Sequence, residues 1–112
     1  MHELSLLKPV VTAVEQACGA EPVQAVRLRV GSLTGAVPEA LEGSWPIAVA
    51  GTLLEGATLE LEWVNAAVWC TLCADCVEID EYFALACPAC GTPTGSIVAG
   101  REFEVVWAET KD

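Results

Sequence analysis

The chain has 112 residues, a formal net charge of −11 and 54% apolar residues, which suits one compact domain, or one domain with a small insert, and excludes disorder. Five Lys and Arg against sixteen Asp and Glu leave too little positive charge to neutralise phosphates, so nucleic-acid binding is not expected. No apolar run reaches membrane-span length, and Met1–Ser5 lacks the basic and long apolar regions of an export signal, so no membrane association and a cytoplasmic location are expected.

Between Leu4 and Cys18 the residues Leu4, Leu7, Val11, Val14 and Cys18 recur at helical spacing and form one apolar stripe. Gly19 is a suitable stop, while Pro9 removes a backbone bond and predicts an irregular first turn. Residues 23–30 alternate, with Val26, Leu28 and Val30 on one face and Arg27 and Arg29 on the other. A second helix is expected after Pro38, with Glu39 in its first turn, kinked or broken midway by Gly43 and Pro46. Residues 57–63 alternate again, which turns Leu59, Leu61 and Trp63 inward and leaves Glu60 and Glu62 to pair across strands with Arg27 and Arg29. A third strand near 101–107 carries Phe103, Val105 and Trp107 on one face. The expected class is α+β: a small three-stranded sheet with two helices, built from 1–66 and completed by 97–112. The cysteine-rich segment 67–96 is inserted as a zinc-ribbon-like domain.

Paired CxxC units in a reducing compartment read as metal ligands rather than disulfides. One lies in Cys87-Pro88-Ala89-Cys90-Gly91, where Gly91 can take the positive φ that such a knuckle needs. Upstream, Cys70, Cys73 and Cys76 offer two overlapping pairs, Cys70/Cys73 and Cys73/Cys76, and a four-thiolate site needs only one of them. Two tight turns of this kind close a tetrahedron around zinc, with Zn–S distances of about 2.3 Å. Four thiolates leave no position for water or substrate, so such a site is structural. The same knuckles would hold a single iron in a rubredoxin-like electron carrier, or serve a zinc-ribbon interaction module. A redox disulfide lacks its βαβ context, and a hydrolase lacks parts, since the chain has one histidine. Cys18 lies on the apolar helix stripe and reads as core packing.

That histidine, His2, stands beside the chain's amine. The Met1 amine, the His2 amide nitrogen and His2 Nδ1 can close a five- and a six-membered ring around one ion. Three coplanar nitrogens suit Ni(II) or Cu(II). The amide must lose its proton, so affinity should rise with pH. Glu3, a backbone group or a partner would fill the fourth position. The plainer alternative is an exposed histidine with no metal role.

Met1-His2-Glu3-Leu4-Ser5 resembles the start of the HypA/HybF family of hydrogenase maturation proteins. The resemblance continues through Val26-Arg27-Leu28-Arg29-Val30-Gly31-Ser32-Leu33-Thr34-Gly35, through Val37-Pro38-Glu39-Ala40-Leu41, and through Gly51 to Glu60. The two cysteine knuckles and Gly100-Arg101-Glu102-Phe103-Glu104 complete it. It implies a nickel metallochaperone for [NiFe]-hydrogenase, not an enzyme, with urease maturation as an additional duty. By that resemblance Met1, His2 and Glu3 bind the transferred Ni(II), while Cys70, Cys73, Cys87 and Cys90 bind a structural Zn(II). The family pattern has no cysteine at the place of Cys76, which makes Cys76 surplus. The implied partners are a nickel-associated GTPase, HypB, and the precursor of the hydrogenase large subunit. Pro9 and the Gly43–Pro46 interruption depart from the family's smoother helices.

Overall fold

A computed structural model describes residues 2–111. In chain order its elements are helix α1 (His2–Cys18), strand β1 (Val23–Gly31), a 3-10 turn (Ser32–Thr34), helix α2 (Pro38–Val49), and strands β2 (Thr58–Val64), β3 (Ala67–Cys70), β4 (Asp75–Glu78), β5 (Ile97–Ala99) and β6 (Phe103–Thr110). The alternation in β1 buries Val26, Leu28 and Val30 completely, and places β1 at the centre of a sheet ordered β2-β1-β6. Strand β2 runs parallel to it and β6 antiparallel. The parallel pair needs a crossover, and α2 supplies it. Leu7, Val10, Val11 and Val14 of α1 join Leu41, Trp45, Ala48 and Val49 of α2 over the inner face of this sheet.

Both helices run unbroken through their prolines, contrary to the irregular turn at Pro9 and the interruption at Pro46 that the sequence suggests. Each proline frees the carbonyl four residues earlier, on Ser5 and Glu42, and all four residues lie on exposed helix surface where water can take the lost bond. The buried stripes then outweigh local propensity, because packing supplies most of a protein helix's stability. In α2, Trp45 also donates Nε1–H to the Ala57 carbonyl at 2.8 Å, which ties the helix to the start of β2.

Two aromatic placements differ from expectation. Leu28 pairs with Val105 but Arg27 pairs with Trp107, so Val106 is an extra residue, a β-bulge. Phe103, Val105 and Ala108 therefore pack on the core, whereas Trp107 turns to the outer face, 38% exposed. Trp63 shares a register with buried Val30 yet is 39% exposed, since β2 is an edge strand and only Leu59 and Leu61 of it pack on the core.

The outer face carries the expected charge ladder. Arg27 donates to Glu60 at 3.1 Å and to Glu62 at 3.2 Å; Arg29 donates to Glu62 and, at 3.0 Å, to Glu104. The hydrogen bonds from Arg29 and then Arg27 hold the Glu62 carboxyl below its ordinary value of 4.5. A carboxyl lowered by folding contributes stability that is complete above its unfolded value and is lost as pH falls through the folded one. Acid titration should therefore show a Glu62-dependent loss beginning near pH 4.5 and finishing below it. Urea midpoints of wild type and Glu62→Gln should differ at pH 7 and draw together as pH falls below 4.5. A constant difference across that range would remove the ladder's role.

The second sheet is ordered β4-β3-β5 and rests on a small cluster, Ala66, Val68 and Ile79, with Phe83 and Ile97 beside it. Strand β5, assigned from sequence to the closing strand of the first sheet, pairs instead with β3, through Ala67↔Ala99 and Val68↔Ile97. Ile97 finds its apolar neighbours there, and the chain crosses to the first sheet only at Gly100. Two sheets end to end make the molecule long, 51 × 26 × 16 Å, with a radius of gyration of 17.1 Å, against about 13 Å for a compact 100-residue domain. Among the described residues no helix is long and apolar enough to cross a membrane.

Candidate metal centre

Cys70 ends β3, and the chain turns back through Thr71 and Leu72 to Cys73, whose N–H approaches Cys70 Sγ at 3.4 Å. Ala74 then takes a left-handed φ of 54° before β4 begins. The second knuckle repeats this shape, with Gly91 at a φ of 80° and its N–H donating to the Cys87 carbonyl at 2.8 Å. Cys87 N–H donates to the Thr92 carbonyl at 2.8 Å, and an antiparallel bridge joins Ala86 to Pro93. The two knuckles face each other and bring the sulfurs of Cys70, Cys73, Cys87 and Cys90 all within 4.8 Å of one another. Cys70 and Cys90 are 3.5 Å apart, and Cys73 and Cys87 are 4.0 Å apart. Tetrahedral Zn–S bonds require S···S separations of about 3.8 Å. The four-cysteine cluster fits a structural zinc site.

The protonation pattern of the bare cluster shows what a cation must do. Hydrogen bonding from Cys73 to Cys90 and Cys70, with desolvation, pushes the Cys73 thiol up to about 12. The hydroxyl and backbone of Thr92 bring Cys90 down to about 6, the Thr92 Oγ1 lying 3.2 Å from its sulfur. A thiolate is thus favoured at Cys90 while Cys73 is held protonated. A divalent ion favours the thiolate at every ligand, so the sulfurs still protonated release their protons when it binds. Two of the sulfurs belong to buried residues, Cys70 and Cys87, and two to exposed ones. Cys76 lies outside the cluster, exposed on β4 opposite Trp69. Cys18 packs partly buried against the first core. Among the described residues no other group of three metal-ligating side chains converges.

At the opposite end, Met1 lies outside the described residues. His2 opens α1 with its side chain 54% exposed, and Nδ1 is 3.8 Å from Glu3 Oε2. The ring sits over Gly35, whose added Cβ would stand 3.8 Å from His2 Cε1. Glu3 is only 8% exposed, and its carboxylate accepts the Val37 N–H at 3.3 Å. A bond to its own backbone N–H, then the one from Val37, hold its carboxyl below the ordinary 4.5 despite burial. The first turn of α1 is thereby clamped to the loop that leads into α2. This loop contact was not legible in the sequence; its one signal is Gly35, which adopts a left-handed φ of 80°. Helix geometry also matters here, because the first four N–H groups, that of His2 among them, have no intrahelical partner.

A family model described as hydrogenase/urease nickel incorporation, metallochaperone, hypA, matches residues 1–110. A protein of Chloroflexus aurantiacus named hydrogenase maturation factor HypA is 42% identical over 113 aligned positions, covering 98% of this chain and 99% of the relative. One of the same name from a Roseiflexus species is 40% identical and covers 100% and 94%. In fold, the chain is similar to the solution structure of the Ni metallochaperone HypA from Helicobacter pylori, with a TM-score of 0.60, 13% identity, and 96% and 92% of the two chains covered. With a match along nearly its whole length and relatives at this identity, the chain belongs to the HypA family of hydrogenase and urease nickel-incorporation metallochaperones.

Proposed function

We propose that this chain carries Ni(II) on an N-terminal hook made by Met1, His2 and Glu3, and keeps its shape with Zn(II) held by Cys70, Cys73, Cys87 and Cys90. A HypA-family protein is a metallochaperone and not an enzyme, so nickel is its cargo. The observation that carries the hook is the pairing of an exposed His2 with a buried, anionic Glu3 fastened to Val37. The imidazole and amide nitrogens of His2 would bind the ion at the surface. The Glu3 carboxylate, committed to a backbone bond, would act mainly by orienting the turn and supplying negative charge. An ion held at the surface by a chain terminus exchanges ligands readily, which delivery requires. A closed four-thiolate site does not.

By the same reading the chain works in the cytoplasm with a nickel-associated GTPase, HypB, and with the precursor of a [NiFe]-hydrogenase large subunit. Residues 1–66 and the last strand form the nickel unit, and the insert around 67–96 the zinc unit, with β5 on the zinc side of the boundary. Nickel titration with elemental measurement tests the hook. One added N-terminal residue, or His2→Ala, should weaken nickel binding at least about 100-fold and leave zinc at its wild-type content. Unchanged nickel affinity in both variants would sink the assignment.

A further inference from the structure

Strand β6 is an edge of its sheet, so half of the backbone N–H and C=O groups of its eight residues point away from β1. Natural edges are guarded by Lys, Pro, covering elements or bulges. The run Phe103–Thr110 contains no Lys, Arg or Pro; its guards are the bulge at Val106 and the charges of Glu104 and Glu109. Between this edge and α1 lie two cavities of about 360 and 370 Å³ that share Ala13 and Val105, and so form one groove. Leu6, Val10, Ala13, Ala17, Val105 and Ala108 make its floor and walls. It starts at Ser5 and Leu6, about one helical turn from His2. An unpaired strand edge beside an apolar groove has the two parts that strand addition uses: backbone bonds for affinity, and pockets for every second side chain.

Charge decides what fits. No basic residue lines the groove, and Lys8, the only basic residue of α1, lies outside it. The β6 residues that point to the outer face include Glu104, one oxygen of which accepts from Arg29, and Glu109, one oxygen of which accepts from Gln24, so each can take a further donor, on a chain of net charge −11. A second copy added antiparallel along β6 would set its own Glu104 and Glu109 against these, and like charges across strands are destabilising. The bulge also interrupts the flat edge that extended self-assembly needs, while short stretches on either side of it remain open. We propose that the free edge of β6 and its groove receive an extended segment of another protein in which apolar residues alternate with Lys or Arg. The apolar side chains enter the groove, and the basic ones meet Glu104 and Glu109 on the outer face.

The test uses the full-length, zinc-loaded chain, isotopically labelled, titrated with a seven-residue peptide alternating lysine and valine. Saturable shifts should appear at Leu6, Val10, Ala13 and along β6, with slowed amide exchange on β6. A glutamate–valine peptide of equal length should produce none. Ala13 is exposed on α1, so Ala13→Phe should fold normally, fill the groove and weaken binding at least about tenfold. Three results would overturn the proposal. The first is shifts spread over the acidic surface with no slowing on β6, and the second is Ala13→Phe binding as well as wild type. The third is sedimentation that shows the chain pairing with itself through β6 as concentration rises, which makes a second copy the occupant.

Discussion

Stripping the metal from this chain with a strong chelator should unfold the β3–β4–β5 sheet and leave the β2–β1–β6 sheet folded. The asymmetry lies in the two cores. The first sheet is covered by two helices and, among the described residues, buries fifteen in one cluster, including Leu7, Val26, Leu28, Leu41 and Leu54. The second has a cluster of Ala66, Val68 and Ile79 among the described residues, with Phe83 and Ile97 partly covered, under strands of three and four residues; its other buried side chains are Ala67 and the metal-cluster residues Cys70 and Cys87. Fully burying one large apolar side chain contributes about 1.5–3 kcal/mol. A structural zinc supplies about 10–16 kcal/mol in small domains. The metal therefore dominates the stability of this end, and Cys87→Ser should have much the same effect as chelation. An amide correlation spectrum before and after chelation, with metal loss verified, reads the result: signals from 67–99 collapse while those of α1, β1 and α2 persist. A spectrum unchanged after complete metal loss would show that the cluster does not hold this end together.

Gly31→Ala should be the most damaging single-methyl change outside the metal cluster. The chain crosses between the sheets where Gly31, Ala66 and Gly100 meet. Gly31 N–H donates to the Glu102 carbonyl at 2.7 Å, Leu33 N–H to the Gly100 carbonyl at 2.7 Å, and Ala66 N–H to Ser32 Oγ at 2.9 Å. A Cβ on Gly31 would stand 2.1 Å from the Gly100 carbonyl oxygen and 2.2 Å from its carbon. Both are backbone atoms held by those bonds, so neither can swing aside as a side-chain tip would. Overpacking of this kind costs roughly 3 kcal/mol or more, a fall of about 10–20 °C in Tm for a domain of this size. Gly43→Ala is the internal comparison: nothing lies within 4 Å of its added Cβ, and it sits within α2. It should gain roughly 0.5–1 kcal/mol from helix propensity. Thermal melts of the three proteins check both signs. A Gly31→Ala melt within about 2 °C of wild type would mean that the crossing is slack.

Features encoded by near neighbours were legible in the residues alone. The period of α1, the alternation of β1 and β2, which puts Arg27 with Arg29 and Glu60 with Glu62 on one face of each strand, and the shape of each CxxC knuckle all follow from spacing within a few positions. The chelate proposed for His2 would likewise need only the residue before it. Other features depended on which strand lies beside which. The bulge at Val106 that turned Trp107 outward appears only once β6 is set against β1. Ile97–Ala99 looked like the start of the last strand until β3 proved to be its partner. Pro46 breaks a helix in isolation, yet α2 continues because Trp45 and its buried neighbours are packed on both sides of it. Likewise Cys70 and Cys76 were equal by spacing, and folding separated them by bringing Cys70 to Cys90 and leaving Cys76 on an exposed strand. The Glu3–Val37 bond spans 34 residues, a distance over which no local pattern carries information. Sequence thus determined the chemical parts and their local shapes, while tertiary packing decided register, partner choice and which of several equivalent side chains meet.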